Sequence, residues 1–271
     1  MSQTAPALAA PAPRARKGTP PWFAAARRAA YGIGGLAIFI AIWKAALIWQ
    51  WAPPGTLPDP FALPATLVQE WQSGRLLPAI GSSLVHYFWG LAAGTALGFG
   101  VGLAAATLPR FDLAQAYLAR ILRPIPPLAW VVFAIAWFKV SHAGAAFVIA
   151  IGVWVNYFAT YGAVRNVDPR YYELARAFGH GGYLARALGV TLPAIAPGAL
   201  SGVRTGIGQA WMTLIAAELL GVPGMGQEMN AAAGVGAYDA VVVYMLIISL
   251  VYTLCDLAFS AVESKVLQWR P

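Results

Sequence analysis

Most of this chain consists of apolar runs that are long enough to span a membrane, and no other feature of the sequence constrains its fold as strongly. A bilayer core of roughly 30 Å needs about 20 mostly apolar residues per helix. The composition agrees, because 59% of the residues are hydrophobic and only 10% are charged, whereas soluble proteins are about a quarter charged. We therefore predict an all-α, polytopic membrane protein with about six transmembrane helices. The runs lie at residues 31–51, 79–107, 124–138, 143–164, 194–220 and 240–262.

The distribution of Lys and Arg predicts the orientation of these helices, because cytoplasmic loops retain an excess of basic residues. Most of the 18 basic residues lie at the two ends of the chain and in alternate gaps. The other gaps hold only Arg75 and Lys139. We therefore expect both termini to be cytoplasmic. The basic residues on the predicted cytoplasmic side are Arg14, Arg16, Lys17, Arg27, Arg28, Arg110, Arg120, Arg123, Arg165, Arg170, Arg176, Arg186, Lys265 and Arg270. The acidic residues on the other side are Asp59, Glu70, Glu218, Glu228 and Asp239.

The composition of the N-terminal residues predicts a disordered tail rather than a cleaved secretory signal. Residues 1–20 are rich in Ala and Pro and lack the apolar core that precedes a cleavage site. We predict a disordered cytoplasmic tail over residues 1–28, a transmembrane domain over residues 29–264 and a cytoplasmic tail over residues 265–271.

Composition and spacing exclude several classes of function. The net charge is +8, but the basic residues occupy short gaps between apolar runs, so we expect no nucleic-acid binding. A single cysteine, Cys255, excludes an intrachain disulfide. The histidines His86, His142 and His180 fall in a span, an outer turn and a cytoplasmic turn. We therefore expect no local metal cluster and assign no cofactor to this chain.

Glycines recur every four residues in the second and fifth runs. In an α-helix this spacing lines one face, where a neighbouring backbone can come close. We predict that these two helices pack at the centre of the bundle. The alternative is that glycine loosens helices that must move, and both roles are compatible in a protein that rocks. The residues are Gly90, Gly94, Gly98, Gly102, Gly198, Gly202 and Gly206.

The longest basic gap, residues 165–192, predicts a short cytoplasmic helix. Asp168 is placed to cap it, Glu173 lies near the positive end of its dipole, and Gly179 is placed to stop it. A second helical stretch over residues 183–190 completes a compact knob. The alternative is a connector that lies on the lipid surface, with its arginines against anionic headgroups.

Within this gap, Glu173-Leu174-Ala175 is followed by Gly179 and then by Leu192-Pro193. These residues resemble the EAA loop of binding-protein-dependent ABC importer permeases, whose pattern is E-A-A, three residues, G, eleven residues and L-P. The chain departs from the pattern at Leu174, and it places twelve residues rather than eleven between Gly179 and Leu192. Gly181-Gly182 are placed to absorb the extra residue.

Further stretches are similar to the nitrate/sulfonate/taurine branch of these permeases. Residues 122–130, with the sequence LRPIPPLAW, resemble the start of the third helix in that branch. Residues 208–211 (GQAW) and 216–221 (AAELLG) resemble its fifth helix and the loop that follows. The resemblance extends in order and spacing over roughly residues 65–265.

The resemblance implies the permease subunit of a type I ABC importer, which is not itself an enzyme. No lysine of the chain lies in a G-x-x-x-x-G-K-[ST] phosphate loop. ATP and Mg²⁺ are therefore expected on two copies of a separate ABC ATP-binding subunit, which the short cytoplasmic helix would contact. The expected contact residues are Asp168, Glu173, Ala175, Arg176, Gly179 and His180.

The implied assembly is a homodimer in the lipids of a bacterial inner membrane. A periplasmic or lipid-anchored solute-binding protein is expected to dock on loops 53–78 and 221–239. The implied solute is a small anion. An aliphatic sulfonate or taurine is the first candidate, and nitrate, bicarbonate or another carboxylate-like solute is the second.

Polar residues inside the runs are the candidates for the translocation pathway, because a charge in hydrocarbon is costly unless it faces a cavity or a partner. Arg204 would attract an anion or pair with a carboxylate, or its side chain would reach the cytoplasmic headgroups instead. Glu218, near the outer end of the same helix, would line the passage, cap or gate. For the aromatic residues, packing or interfacial anchoring is the alternative. The full set is Arg204, Gln209, Trp211, Glu218, Trp154 and Asn156.

Two other functions stay open. An ion-coupled secondary transporter usually shows internal repeats and buried coupling carboxylates, whereas most acidic residues of this chain lie in loops. An intramembrane serine hydrolase would use a serine such as Ser82, one helical turn from His86. The sequence contains no G-x-S-x-G element, and it identifies no third group that would orient the histidine.

Overall fold

The structure is a computed structural model that describes residues 21–154, 156–179 and 182–267. Within these ranges the regular secondary structure is helical and includes no strand, so the predicted all-α fold is confirmed. His180, which we expected to contact an ATPase, lies outside the described residues. The same is true of the terminal residues 1–20 and 268–271.

The residues up to Pro53 form a unit of their own. Its helix α1 spans Pro21–Ile48, and the part from Ala29 onward is long and apolar enough to cross a membrane. Because α1 begins at Pro21, residues 21–28 of the predicted tail are helical.

The residues from Pro54 onward form the second unit. Several of its helices begin at a proline, which suits the first turn because the N–H groups there have no partner within the helix. The helices are α2 (Leu63–Gln72), α3 (Leu76–Thr107), α4 (Pro109–Leu122), a 3-10 turn (Pro127–Trp130), α5 (Val131–Phe138), α6 (His142–Val153), α7 (Asn156–Arg165), α8 (Pro169–Ala177), α9 (Tyr183–Arg186), a π-helical turn (Ala187–Thr191), α10 (Leu192–Leu219), α11 (Met225–Gly234) and α12 (Tyr238–Val266).

Among the described residues, four helical segments are long and apolar enough to cross a membrane, or five if the bent pair of α4 and α5 is one span. The predicted third span, residues 124–138, contains the short helical stretch Pro127–Phe138, whose axis bends by 94° from that of α4. The predicted fifth span forms α10, which is 28 residues long. Its glycines, prolines and polar residues make it less apolar than the other spans.

The centre of the second unit is the pair α6 and α7, which packs against both α3 and α10. Ala145, Val148, Ile149 and Val153 of α6 are fully buried there. Helices that are surrounded by protein on several faces need little apolar surface toward lipid, which is why α10 tolerates its polar residues.

The two predicted glycine stripes lie at these central contacts. A Cβ atom added to Gly94 would lie 2.6 Å from the carbonyl oxygen of Ala150. A Cβ atom added to Gly202 would lie 2.6 Å from the Cβ atom of Ala159. Both distances are well below van der Waals contact, so only glycine allows the helices to approach this closely. The prediction that the second and fifth runs pack at the centre is confirmed.

Gly94→Ala is expected to destabilise the folded protein by about 1–3 kcal/mol, because the added methyl group overpacks a contact with backbone. Gly100 of the same helix has open space around it, so Gly100→Ala is the matched control. It should be neutral, or stabilising by up to about 1 kcal/mol through helix propensity. Thermal unfolding in detergent measures both variants, and equal stabilities would contradict the close packing of α3.

Candidate functional site

The short helix α8 begins and ends as the sequence predicts. Asp168 Oδ1 accepts a hydrogen bond of 2.9 Å from the backbone N–H of Arg170, which is the expected N-terminal cap. Gly179 follows the helix with φ at +78°, the left-handed conformation that glycine adopts at helix ends. Glu173 and Arg176 are exposed between these two points.

One side of α8 is apolar and exposed. None of the nine residues of this helix is buried. The side chains of Tyr171 and Leu174, and of Phe178 just after the helix, are 57%, 56% and 73% exposed. Together with Ala175 they border a groove of about 560 Å³ against the beginning of α10. Exposed apolar surface of this kind marks an interaction site.

A hydrogen bond attaches α8 to the segment that leads into α10. The hydroxyl oxygens of Tyr172 and Thr191 lie 3.2 Å apart. Thr191 is the last residue before α10 begins at Leu192. A displacement of α8 therefore acts directly on the start of α10.

A π-helical turn, Ala187–Thr191, leads into α10. The backbone N–H of Leu192 bonds to the carbonyl of Ala187, five residues earlier, whereas an α-helix bonds four residues back. One such turn holds one residue more than an α-helix with the same ends. Gly181, one of the two glycines expected to absorb the extra residue of the loop, lies outside the described residues.

At the opposite end of the second unit, polar contacts join the two loops predicted to dock a binding protein. Arg75 Nη2 lies 3.3 Å from Glu70 Oε1, and Arg75 Nη1 lies 3.7 Å from Glu228 Oε2. The hydroxyl of Tyr244 donates a 3.0 Å hydrogen bond to Glu70 Oε2. These contacts link α2, α11 and α12, so the two loops form one surface.

Arg204 pairs with acidic residues of α12. Its guanidinium lies 3.1 Å from Glu263 Oε2 and 3.8 Å from Asp256 Oδ2, and it donates a 3.2 Å hydrogen bond to Ser260 Oγ. Of the roles expected for Arg204, the structure contains the pairing with a carboxylate. Glu263 was not predicted as the partner, because nothing in local spacing links it to Arg204.

Three of the predicted pathway residues lie on or beside α7, but they do not share one site. Trp154, directly after α6, stacks on Tyr157, with 5.9 Å between ring centroids, and packs with Ala105 of α3 and Ala119 of α4. Asn156 opens α7, is 6% exposed and lies against Gly206 of α10. Gln209 lines the same cavity as Asn156.

Trp211 lies on another side of α10 and is packed inside the bundle. It is 7% exposed, and its ring centroid lies 5.1 Å from that of Tyr87 and 5.9 Å from that of Tyr252. Packing is the alternative that we expected for the aromatic residues. Trp211 therefore lies apart from Asn156 and Gln209.

Glu218 is fully buried near the end of α10 and accepts three hydrogen bonds. Its Oε1 accepts from Ser83 Oγ at 2.7 Å and from His86 Nδ1 at 3.2 Å, and its Oε2 accepts from the Gly226 N–H at 2.9 Å. Ser83 Oγ in turn accepts from the N–H of Met225 at 3.0 Å. Both N–H groups lie at the positive end of the α11 dipole, which favours a carboxylate. Glu218 therefore acts as a cap, one of its expected roles.

His86 of α3 connects this carboxylate to His142, the first residue of α6. His86 Nε2 contacts His142 Nδ1, with ring centroids 4.8 Å apart. Because His86 Nδ1 donates to Glu218, a neutral His86 accepts the Nδ1–H of His142. His142 is exposed, so a chain of hydrogen bonds runs from the surface to Glu218. In the described part of the chain, no group of three His, Cys, Asp or Glu side chains is placed to hold a metal ion.

The same contacts argue against a serine hydrolase. In the hydrolase considered, the nucleophilic serine would donate its proton to His86. Ser83 donates instead to Glu218, and both ring nitrogens of His86 are engaged by Glu218 and His142. No nitrogen of His86 is left to activate Ser82, and the cluster of Ser83, His86 and Glu218 has no exposed surface.

Glu218→Ala is expected to destabilise the protein by about 3 kcal/mol, because three buried donors lose their acceptor. Glu228→Ala is the matched control, since its carboxylate lies at the same end, is 26% exposed and pairs with Arg75. The loss of that exposed pair should cost less than about 1 kcal/mol. Thermal unfolding in detergent compares the two. Equal effects would show that Glu218 is not the centre of a buried cap.

Comparison with known proteins identifies the family. The family described as binding-protein-dependent transport system inner membrane component matches residues 94–268. A putative aliphatic sulfonates transport permease protein of Bacillus subtilis is 29% identical over 86% of this chain and 85% of its own. The taurine transport system permease protein of Escherichia coli is 26% identical over 90% of this chain and 91% of its own. The nitrate import permease protein of Leptolyngbya laminosa is 30% identical over 72% of this chain and 68% of its own.

The fold is also similar to that of a solved ABC importer. The structure of the MetNI methionine ABC transporter in inward-facing conformations aligns with a TM-score of 0.61 and 19% identity, over 73% of this chain and 98% of that chain. This similarity concerns the fold alone, which is that of type I importer permeases. The family match covers more than half of the sequence. The chain therefore belongs to the inner-membrane permeases of binding-protein-dependent ABC transporters, in the branch that contains the nitrate, sulfonate and taurine permeases.

Proposed function

We propose that this chain is the membrane-spanning subunit of an ATP-driven importer for a small anion. A solute-binding protein delivers the anion, and a separate ATPase subunit supplies the energy. The observation that carries the proposal is the exposed apolar side of α8, which is capped at its start, stopped by Gly179 and hydrogen-bonded to the segment before α10.

The apolar side of α8 has the properties of a docking element for the ATPase. Full burial of one large apolar side chain contributes about 1.5–3 kcal/mol, and Leu174 and Phe178 are both more than half exposed. A short capped helix moves as a rigid body and transmits force between two arrangements of a bundle. The bond from Tyr172 to Thr191 passes that movement to α10.

The proposed assembly is a homodimer with two ATPase subunits in a bacterial inner membrane, with both termini of the chain cytoplasmic. ATP and Mg²⁺ bind to the ATPase subunits. Their closure on ATP moves α8 and opens the central passage outward, and hydrolysis resets the assembly. A periplasmic or lipid-anchored binding protein docks on the surface that Arg75 holds together at the other end.

The proposed solute is a small organic or inorganic anion. Relatives along most of the chain are named for aliphatic sulfonates and taurine, and another is named for nitrate. An aliphatic sulfonate or taurine is therefore the first candidate, and nitrate is the second.

Affinity purification of the tagged chain from native membranes in mild detergent tests the docking role of α8. The unchanged chain should recover a P-loop ATPase in near-equal amount. The double variant Leu174→Asp with Phe178→Asp should recover at least about tenfold less, because two buried charges replace apolar contacts. Mass spectrometry quantifies the ATPase, and membrane insertion should be unaffected.

Val235→Asp is the control for this experiment. Val235 is 81% exposed and lies in the outer loop, at the opposite end from α8, so its replacement should leave the recovery of the ATPase unchanged. Full recovery of the ATPase by the double α8 variant would refute docking through this side of α8.

A further inference from the structure

A cleft of about 300 Å³ between α4 and α7 carries basic residues on one side and aromatic residues on the other. Arg120 and Arg123 of α4 are both exposed, so their N–H donors are accessible from outside the protein. The α7 side of the cleft consists of Tyr157, Phe158 and Tyr161. The cleft therefore presents cationic donors beside a firm aromatic wall.

The charges of the two arginines are not neutralised within the protein. In the part of the chain that the structure describes, neither Arg120 nor Arg123 forms an ion pair with a carboxylate. The guanidinium of Arg123 lies 4.8 Å from the ring centroid of Phe158. This cation–π contact orients the side chain but supplies no oxygen acceptor for its five N–H donors. Both side chains are free to bind an anion.

The carboxylate in the cleft, Asp112, is already engaged at a distance from the arginines. Its Oδ2 accepts a 3.0 Å hydrogen bond from the hydroxyl of Tyr161, and its Oδ1 accepts one of 3.1 Å from the amide of Gln115. Along the helix, Asp112 lies about 12 Å from Arg120 and about 16 Å from Arg123. Charges that far apart are largely screened at physiological ionic strength. The end of the cleft near the two arginines is therefore positive.

Beside this positive end, α4 exposes an apolar surface. Leu113 and Tyr117 are 75% and 73% exposed. They precede Arg120 by two helical turns and one, so the three side chains lie on one face of α4. The apolar surface continues at Ile121, which is also exposed. Apolar surface next to a cation complements a phospholipid, which joins acyl chains to a negative phosphate. A small free anion would use the arginines alone.

From this geometry we infer that the cleft between α4 and α7 binds the headgroup of an anionic phospholipid. The phosphate contacts Arg120 and Arg123, and the acyl chains lie along Leu113 and Tyr117. Arginine binds phosphate oxygens through paired N–H donors, and basic pockets between helices at the cytoplasmic surface hold anionic headgroups. The choice of the cytoplasmic leaflet rests on the proposed orientation. The site itself goes beyond the proposed function, because it depends neither on the solute nor on the energy source of transport.

Native mass spectrometry tests this site on the assembly in which the chain is recovered from its membrane. The assembly in detergent is titrated with dioleoylphosphatidylglycerol or with dioleoylphosphatidylcholine, and the affinity for each lipid is measured. The unchanged assembly should bind phosphatidylglycerol more tightly. The double variant Arg120→Gln with Arg123→Gln should bind phosphatidylglycerol at least about tenfold more weakly, because it loses charge-assisted hydrogen bonds that contribute roughly tenfold each.

Arg110→Gln is the matched control. Arg110 is an exposed arginine of the same helix, but it is not part of the cleft lining and lies about 15 Å from Arg120 along the helix. Its replacement should change the affinity for phosphatidylglycerol by less than about twofold, because screening removes most of its effect at that distance. Arg120→Gln alone tests the site if the double variant does not assemble, and it should lower the affinity at least about threefold.

Four results would overturn the lipid site and leave the proposed import function intact. The first is equal affinity of the unchanged assembly for the two lipids, which would mean that a partner subunit covers the cleft or that it selects no charge. The second is unchanged binding of phosphatidylglycerol by the variants of Arg120 and Arg123. The third is an equal loss in Arg110→Gln, which would indicate general attraction to basic residues. The fourth is complete displacement of the lipid by excess inorganic phosphate, which would assign the cleft to a free anion.

Discussion

The close backbone contact of α3 and α10 with the α6–α7 pair is the constraint on which the rest of the structure depends. Within a bilayer, helices gain no hydrophobic free energy by leaving lipid for each other, so they associate through van der Waals packing and hydrogen bonds. Gly94 of α3 and Gly202 of α10 leave the space that lets the central helices approach. Once this packing is formed, the positions of both ends of α10 are set.

α10 therefore connects the features that matter for transport. Before its first residue, Thr191 bonds to Tyr172 of α8, and near its last residue Glu218 caps α11. Between these ends, Gly206 of α10 lies against the side chain of Asn156 in α7. A displacement of α8 would act on one continuous helix of 28 residues. Movement of α10 is how the energy of a partner would reach the passage.

The sequence predicts those parts of the structure that depend on local spacing. The glycine stripes follow from the four-residue period of helices, and the bounds of α8 follow from Asp168 and Gly179. Contacts between distant segments carry no such signal. Ser83 and His86 reach Glu218 from another helix, and Arg204 reaches Glu263 in the same way, so their pairing emerges only from the folded bundle. The bend of 94° between α4 and the helical stretch Pro127–Phe138 was also not predicted. Prolines at the start of an apolar run are compatible both with a straight helix that begins there and with a bend between two helices.

The energy source of transport is the most direct test of the central claim, because an ATP-driven permease requires ATP whereas an ion-coupled carrier requires an ion gradient. Uptake of labelled taurine, ethanesulfonate and nitrate would be measured in proteoliposomes that contain the complex, with ATP or ADP supplied to the ATPase side and with ionophores present or absent. We expect uptake that requires ATP and the binding protein and that continues when ionophores collapse the ion gradients. Uptake that proceeds without ATP and stops with the gradients would contradict the account and identify a secondary transporter.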